Sequence, residues 1–111
     1  MAKTDNIGKL SLTGDLSVSD AAKIHEYMSA LLKEFSTVCI NFSSLEDFDA
    51  SIIQLLFALC RQAKTETKKV TFEGTFSKDV RKRLYATGLI SAPDVDDSVI
   101  VVQLTDKIVN K

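Results

Sequence analysis

The sequence predicts an α/β domain, a small mixed, largely parallel sheet with helices packed on it, and three observations carry that prediction. Short strand-like runs, two of them with clear alternation of apolar and polar residues, recur at 7–12, 37–42 and 69–73. Between them lie longer runs whose apolar residues repeat every three or four positions, the period of a helix face. Strands separated by single helices require right-handed crossovers, which leave successive strands parallel.

Taken in order, Ile7 to Leu12 is a strand with Leu10 and Leu12 on one face. Thr13-Gly14-Asp15 then turns the chain into a short extended piece at Leu16, a small hairpin or a bend, which leaves the N-terminal strand open to antiparallel pairing. From Ser19 the period becomes helical: Ala21, Ile24, Met28, Leu31, Leu32 and Phe35 lie opposite Lys23, Glu26, Ser29 and Lys33, and Ser17 or Ser19 caps the open amides. Thr37 to Phe42 alternates again, with Val38, Ile40 and Phe42 opposed to Cys39 and Asn41. Ser43 to Asp49 is a polar loop by composition. The leucine-rich run 52–63 is too long for a typical strand and is expected to be a central helix, its core stripe being Ile52, Leu55, Leu56, Leu59 and Ala63. Lys69 to Glu73 is a strand stopped by Gly74, and Ser77 caps a basic helix that ends at Gly88. Residues 95–109 admit two readings: a β-branched strand over Val99 to Leu104, or a helix capped by Asp96 or Asp97 and running through Ile108 and Val109.

Composition narrows the functional classes. A chain of 111 residues with 45% hydrophobic and 26% charged residues is expected to form one domain, its core spanning about 7–90. Its net charge of -1 offers no field for nucleic acid or an anionic membrane. The polar start, Met1 to Asn6, and the lack of a long apolar run point to a cytoplasmic protein without membrane insertion. Cys39 and Cys60 sit among apolar neighbours and are expected as buried free thiols. With His25 the single histidine, neither a metal site nor a hydrolytic triad assembles, and no phosphate-binding glycine loop is present. The expectation is a binding protein, not an enzyme, with no cofactor and no metal. Small phosphotransfer domains use one helical histidine, but they are helical bundles, and His25 is expected on the surface.

The candidate site is the start of the central helix. Asp49 stands at the N-cap position and Ser51 in the first turn, where open amides and the helix dipole stabilise negative charge. A phosphate on Ser51 would meet an anion site there, while Glu46, Asp47 and Asp49 would make the surrounding surface still more negative and repel a docked partner. Ala50 belongs to the same exposed turn. Ile53 and Phe57 flank the core stripe, either as an apolar anchor for a partner helix or a second copy of the chain, a homodimer, or as part of a wide buried face. Lys68, Lys69, Lys78, Arg81, Lys82 and Arg83 form a basic group explained by a solvated helix face.

The run from Val38 through Asn41, Ser43, Phe48, Asp49, Ala50 and Ser51 to Ile52 resembles the STAS family, which includes the anti-sigma factor antagonists. In that family an apolar strand with Asp and Ser leads to Asp-Ser-Ser-Gly or Asp-Thr-Ala-Gly at the start of a leucine-rich helix. Leu12-Thr13-Gly14-Asp15-Leu16 is similar to the Leu-Ser-Gly-Glu-Leu before the family's first helix, and Ala86-Thr87-Gly88-Leu89 also matches. Ala50, Ile52 and Asn41 depart from the pattern, standing where the family has serine, glycine and aspartate. The resemblance implies a regulatory protein whose Ser51 is phosphorylated by an anti-sigma factor serine kinase and restored by a phosphatase. It equally admits a constitutive STAS subunit of a lipid-transport ATPase, or an adaptor in chemotaxis or stress signalling.

Overall fold

A computed structural model describes residues 7–110, so the polar start at Met1 to Asn6 lies outside the described residues. The order is β1 (Ile7–Ser11), β2 (Gly14–Leu16), α1 (Val18–Glu34), β3 (Thr37–Asn41), β4 (Leu45–Phe48), α2 (Ala50–Thr65), β5 (Lys69–Glu73), α3 (Lys78–Ala86) and α4 (Asp97–Leu104). The last helix runs on into one π-helical turn, Thr105–Val109.

β1, β3 and β5 form one sheet in the order β1-β3-β5, and β2 with β4 forms a second two-stranded piece. Every described pairing is parallel. This corrects the expectation of an antiparallel N-terminal strand. Gly14, with φ +78°, bends the chain without reversing it, so β2 continues past β1 to pair with β4 and α1 supplies the crossover to β3. A hairpin is thereby excluded at this turn.

A second correction concerns residues 43–49. Their polar composition hides β4, in which Leu45 and Phe48 are buried three residues apart. A register shift in its pairing with β2 breaks the alternation that would have marked a strand. The ambiguous C-terminal segment is a helix. Ile100, Leu104 and Ile108 follow one another at intervals of four and are all buried, and that stripe outweighs the β propensity of the valines between them.

One face of the three-stranded sheet, through Leu10, Val38, Ile40, Val70 and Phe72, packs into a core with Met28 and Leu32 of α1 and Ile52, Leu56 and Leu59 of α2. Phe42 lies between Phe72 and Phe76, with ring centroids 5.7 and 5.1 Å away. Because the strands run parallel, their C-terminal ends share one edge of the molecule. The starts of α1, α2 and α3 follow from that edge, the place where open parallel sheets usually carry their sites.

The basic group divides into separate roles. Arg81 ties α3 to the start of α4: it pairs with Asp97 at 2.7 Å and donates to the carbonyls of Phe76, Pro93 and Val95. Lys68 donates to the Phe35 carbonyl at 3.2 Å. Cys39 and Cys60 are buried free thiols, and burial pushes the Cys60 thiol up to about 11, well away from the range of a reactive thiolate. His25 is exposed on α1.

Candidate functional site

Asp49 caps α2 as its sequence position predicts: its Oδ1 accepts from the Ser51 amide at 3.0 Å and also from the Ser51 hydroxyl. The same carboxylate reaches a second helix. Its Oδ2 accepts from the amide of Val18, the first residue of α1, at 3.1 Å. The Asp49 amide meanwhile donates to the Leu16 carbonyl at 3.1 Å, which extends the β2–β4 pairing to the cap residue itself. The bonds to its carboxylate, led by the one from the Ser51 hydroxyl, hold the Asp49 carboxyl below the usual carboxylate range.

Among the described residues, Arg83 is the close countercharge on the carboxylate side of this edge. Arg83 of α3 grips Asp47 of β4 with two donors, Nε at 3.1 Å and Nη2 at 2.9 Å, and the guanidinium holds the Asp47 carboxyl low. Asp15 and Asp49 also lie near enough to raise the Arg83 pKa electrostatically. Beside this pair the Ser77 hydroxyl, which accepts from the Val80 amide to cap α3, donates to the Glu46 carbonyl at 3.3 Å. α3 is thus fastened to β4 through both backbone and side chains.

A polar brace supports the loop that enters β4. Asn41 donates to Glu73 at 2.8 Å and accepts from the Ser43 amide at 2.8 Å, and the Ser43 hydroxyl accepts from the Thr75 amide at 3.0 Å. Asn41, where the STAS pattern has aspartate, therefore both donates and accepts, and its amide keeps the Glu73 carboxyl low. Gly74, at φ +110°, permits this approach, since a Cβ there would lie 2.6 Å from the Ser43 hydroxyl.

Of the residues predicted for the site, the structure brings together Glu46, Asp47, Asp49, Ala50 and Ser51. Glu46 and Ala50 are exposed, and Ser51 is half-buried. Two residues do not join them. Ile53 is 8% exposed and belongs to the core, so it offers no anchor to a partner or a second copy. Phe57 stands six residues along α2 from Ser51, about 9 Å of helix rise, and lines a cleft of about 100 Å³ with Cys60 and Ile108. Ile53 belongs to the buried face, whereas Phe57 is half-buried at its margin. Asp49 takes up the Ser51 amide, one of the first-turn amides of α2, as expected of the N-cap.

The sequence alone does not single out Val18, and it places Arg83 only in a solvated basic group, without its partner Asp47. Val18 is 69% exposed beside the cap of α2, and the pairs Val18–Asp49 and Asp47–Arg83 are 31 and 36 residues apart in sequence. No local spacing encodes such contacts, although the acidic stretch 46–49 already called for a countercharge. Among the described residues no group of three His, Cys, Asp or Glu side chains could hold a metal ion, and no helix is long and apolar enough to cross a membrane.

The arrangement is suited to recognition by surface and charge. Its hydroxyl lies in an acidic, hydrogen-bonded helix start at the rim of the sheet. Solved structures with the same fold include two forms of SpoIIAA. The anti-sigma factor antagonist SpoIIAA in its unphosphorylated form matches with a TM-score of 0.63 and 22% identity, over 80% of this chain and 78% of that one. The Bacillus cell fate determinant SpoIIAA in its phosphorylated form matches with a TM-score of 0.59 and 21% identity, over 80% and 81% of the two chains. No curated protein sequence matches the chain significantly. The family model described as "Mlab, STAS domain" matches residues 1–90, and the chain therefore belongs to the STAS domain family.

Proposed function

We propose that this STAS domain is a regulatory protein-binding module, similar in role to an anti-sigma factor antagonist, and that phosphorylation of Ser51 switches its partner. The observation that carries the reading is the position of the Ser51 hydroxyl in the first turn of α2, on an edge already charged by Glu46, Asp47 and Asp49. Support comes from the SpoIIAA structures, which represent that protein in both a phosphorylated and an unphosphorylated form.

The partner would be an anti-sigma factor serine kinase that transfers the γ-phosphoryl group of ATP. A bond forms from the Ser51 oxygen to phosphorus, the bond from phosphorus to the bridging oxygen breaks, ADP leaves, and the hydroxyl proton is released. The product carries about -1.5 to -2 charges where a partner must dock, and a phosphatase restores the neutral hydroxyl by hydrolysis. The module itself binds and does not catalyse. Incubation with such a kinase and ATP should label wild type and leave Ser51→Ala unlabelled. Label that persists in Ser51→Ala contradicts the assignment of the site.

A second reading is favoured by one observation. The Ser51 hydroxyl is already engaged by Asp49, as a packing residue would be in a constitutive subunit of a lipid-transport ATPase. Co-purification with an ATP-binding transporter subunit, insensitive to kinase and phosphatase, selects that reading.

A further inference from the structure

We infer that Asp49 couples the starts of α1 and α2, so that a negative charge at Ser51 releases the first turn of α1 together with the exposed side chain of Val18. The inference deepens the proposed phosphorylation of Ser51 by naming the segment that responds to it. The two oxygens of the Asp49 carboxylate serve different helices. Oδ1 accepts from the Ser51 amide and hydroxyl, and Oδ2 accepts from the Val18 amide.

The first amides of a helix have no partner inside it. In α1 the Asp20 carboxylate reaches back to the Ser17 amide at 2.9 Å, and the Asp20 amide donates to the Ser17 carbonyl at 2.9 Å. Val18 takes its acceptor from a residue 31 positions away. The backbone of Asp49 is fixed by its bond to Leu16, so a disturbance at this point is taken up by the Asp49 side chain.

A charge on residue 51 replaces a hydroxyl that donates to Oδ1 with an anion that repels it. The carboxylate turns as one rigid group, so Oδ2 leaves Val18 as Oδ1 leaves Ser51. What a partner meets is then changed at two points: a new charge on α2, and a loosened apolar residue, 69% exposed, at the start of α1.

Amide hydrogen exchange of the full chain, followed by NMR, tests this without a kinase. The intrinsic exchange rate of Val18 depends on Val18 and Ser17, so substitutions at 49 and 51 alter it only through structure. Ser51→Asp should speed Val18 exchange at least about fivefold, while the neutral, near-isosteric Ser51→Asn stays within about twofold of wild type. Asp49→Ala should speed Val18 as much as Ser51→Asp does. Asp49→Asn, which folds with one acceptor oxygen in place of two, should speed either Val18 or Ser51. Equal Val18 rates in Ser51→Asp and Ser51→Asn would overturn the coupling, as would a Val18 rate unchanged in Asp49→Ala. If Ser51→Asp moves Val18 but a kinase never labels Ser51, the coupling stands and the phosphorylation reading fails.

Discussion

Both halves of α2 bury apolar residues, Ile52, Ile53 and Leu56 as well as Leu59, but the two ends are anchored differently. Its C-terminal half presents Leu59, Cys60 and Ala63 to the core and to the π-helical turn at Thr105–Val109, and apolar packing holds it there. Its N-terminal end is held by hydrogen bonds that cross elements: Asp49 reaches α1, and β4 beside it is fastened to α3 through Asp47, Glu46, Arg83 and Ser77. Apolar burial carries most of the stability, whereas the polar end fixes where charges stand. Substitutions at the two ends should therefore divide, one set unfolding the domain and the other changing what it binds.

The largest expected effect lies in the C-terminal half. Leu59 is fully buried, and Leu59→Ala should cost about 2–5 kcal/mol in a urea titration, through lost burial and the cavity left behind. A cost under about 1 kcal/mol would show that this end repacks freely. Next comes Gly74→Ala beneath the polar end, where the positive φ and the close Ser43 hydroxyl together predict a loss of roughly 1–3 kcal/mol. Ser77→Ala removes the cap of α3, and a loss of about 1 kcal/mol is expected from the same titration. Arg83→Ala breaks a half-exposed ion pair and should shift stability by well under about 1 kcal/mol, yet change the response to acid.

That acid response has a definite sign. Asp47 is held low by Arg83, Asp49 by the Ser51 hydroxyl and Glu73 by Asn41. A carboxyl whose folded pKa is depressed stabilises the fold above its unfolded pKa, near 3.8 for the aspartates and 4.5 for Glu73, and that contribution fades as the pH falls through the folded value. Thermal melts should therefore show Tm steady near neutrality and falling below about pH 4.5. The fall should be shallower in Arg83→Ala, which removes the cause of the Asp47 shift. A Tm that rises on acidification would contradict these assignments.

Both ends of α2 show what the sequence makes legible. Helical periodicity located α1 and α2, and Lys69 to Glu73 marked β5 with its correct ends, because each element carries its own repeat. β4 was hidden because its buried residues are three apart and its pairing slips register. The direction of β1 was hidden because a Thr-Gly-Asp turn suits a bend as well as a hairpin, and only the parallel partner β4 decides between them. At the site, Asp49 as cap and Ser51 in the first turn were legible from local spacing. The reach of Asp49 to Val18 and of Arg83 to Asp47 was not, since tertiary contacts across more than 30 residues leave no periodic trace. Ile53 and Phe57 were ambiguous for another reason: the burial of a flanking helix position depends on which elements arrive later in the chain, here including Ile108.

The central claim is that the start of α2 is a partner surface controlled by charge at Ser51. The most direct measurement is the affinity of a purified anti-sigma factor serine kinase for wild type, Ser51→Asp and Ser51→Asn, by calorimetry at constant salt. The account predicts that Ser51→Asp binds at least about tenfold more weakly than wild type, while Ser51→Asn stays close to it. Equal affinity for wild type and Ser51→Asp would contradict it.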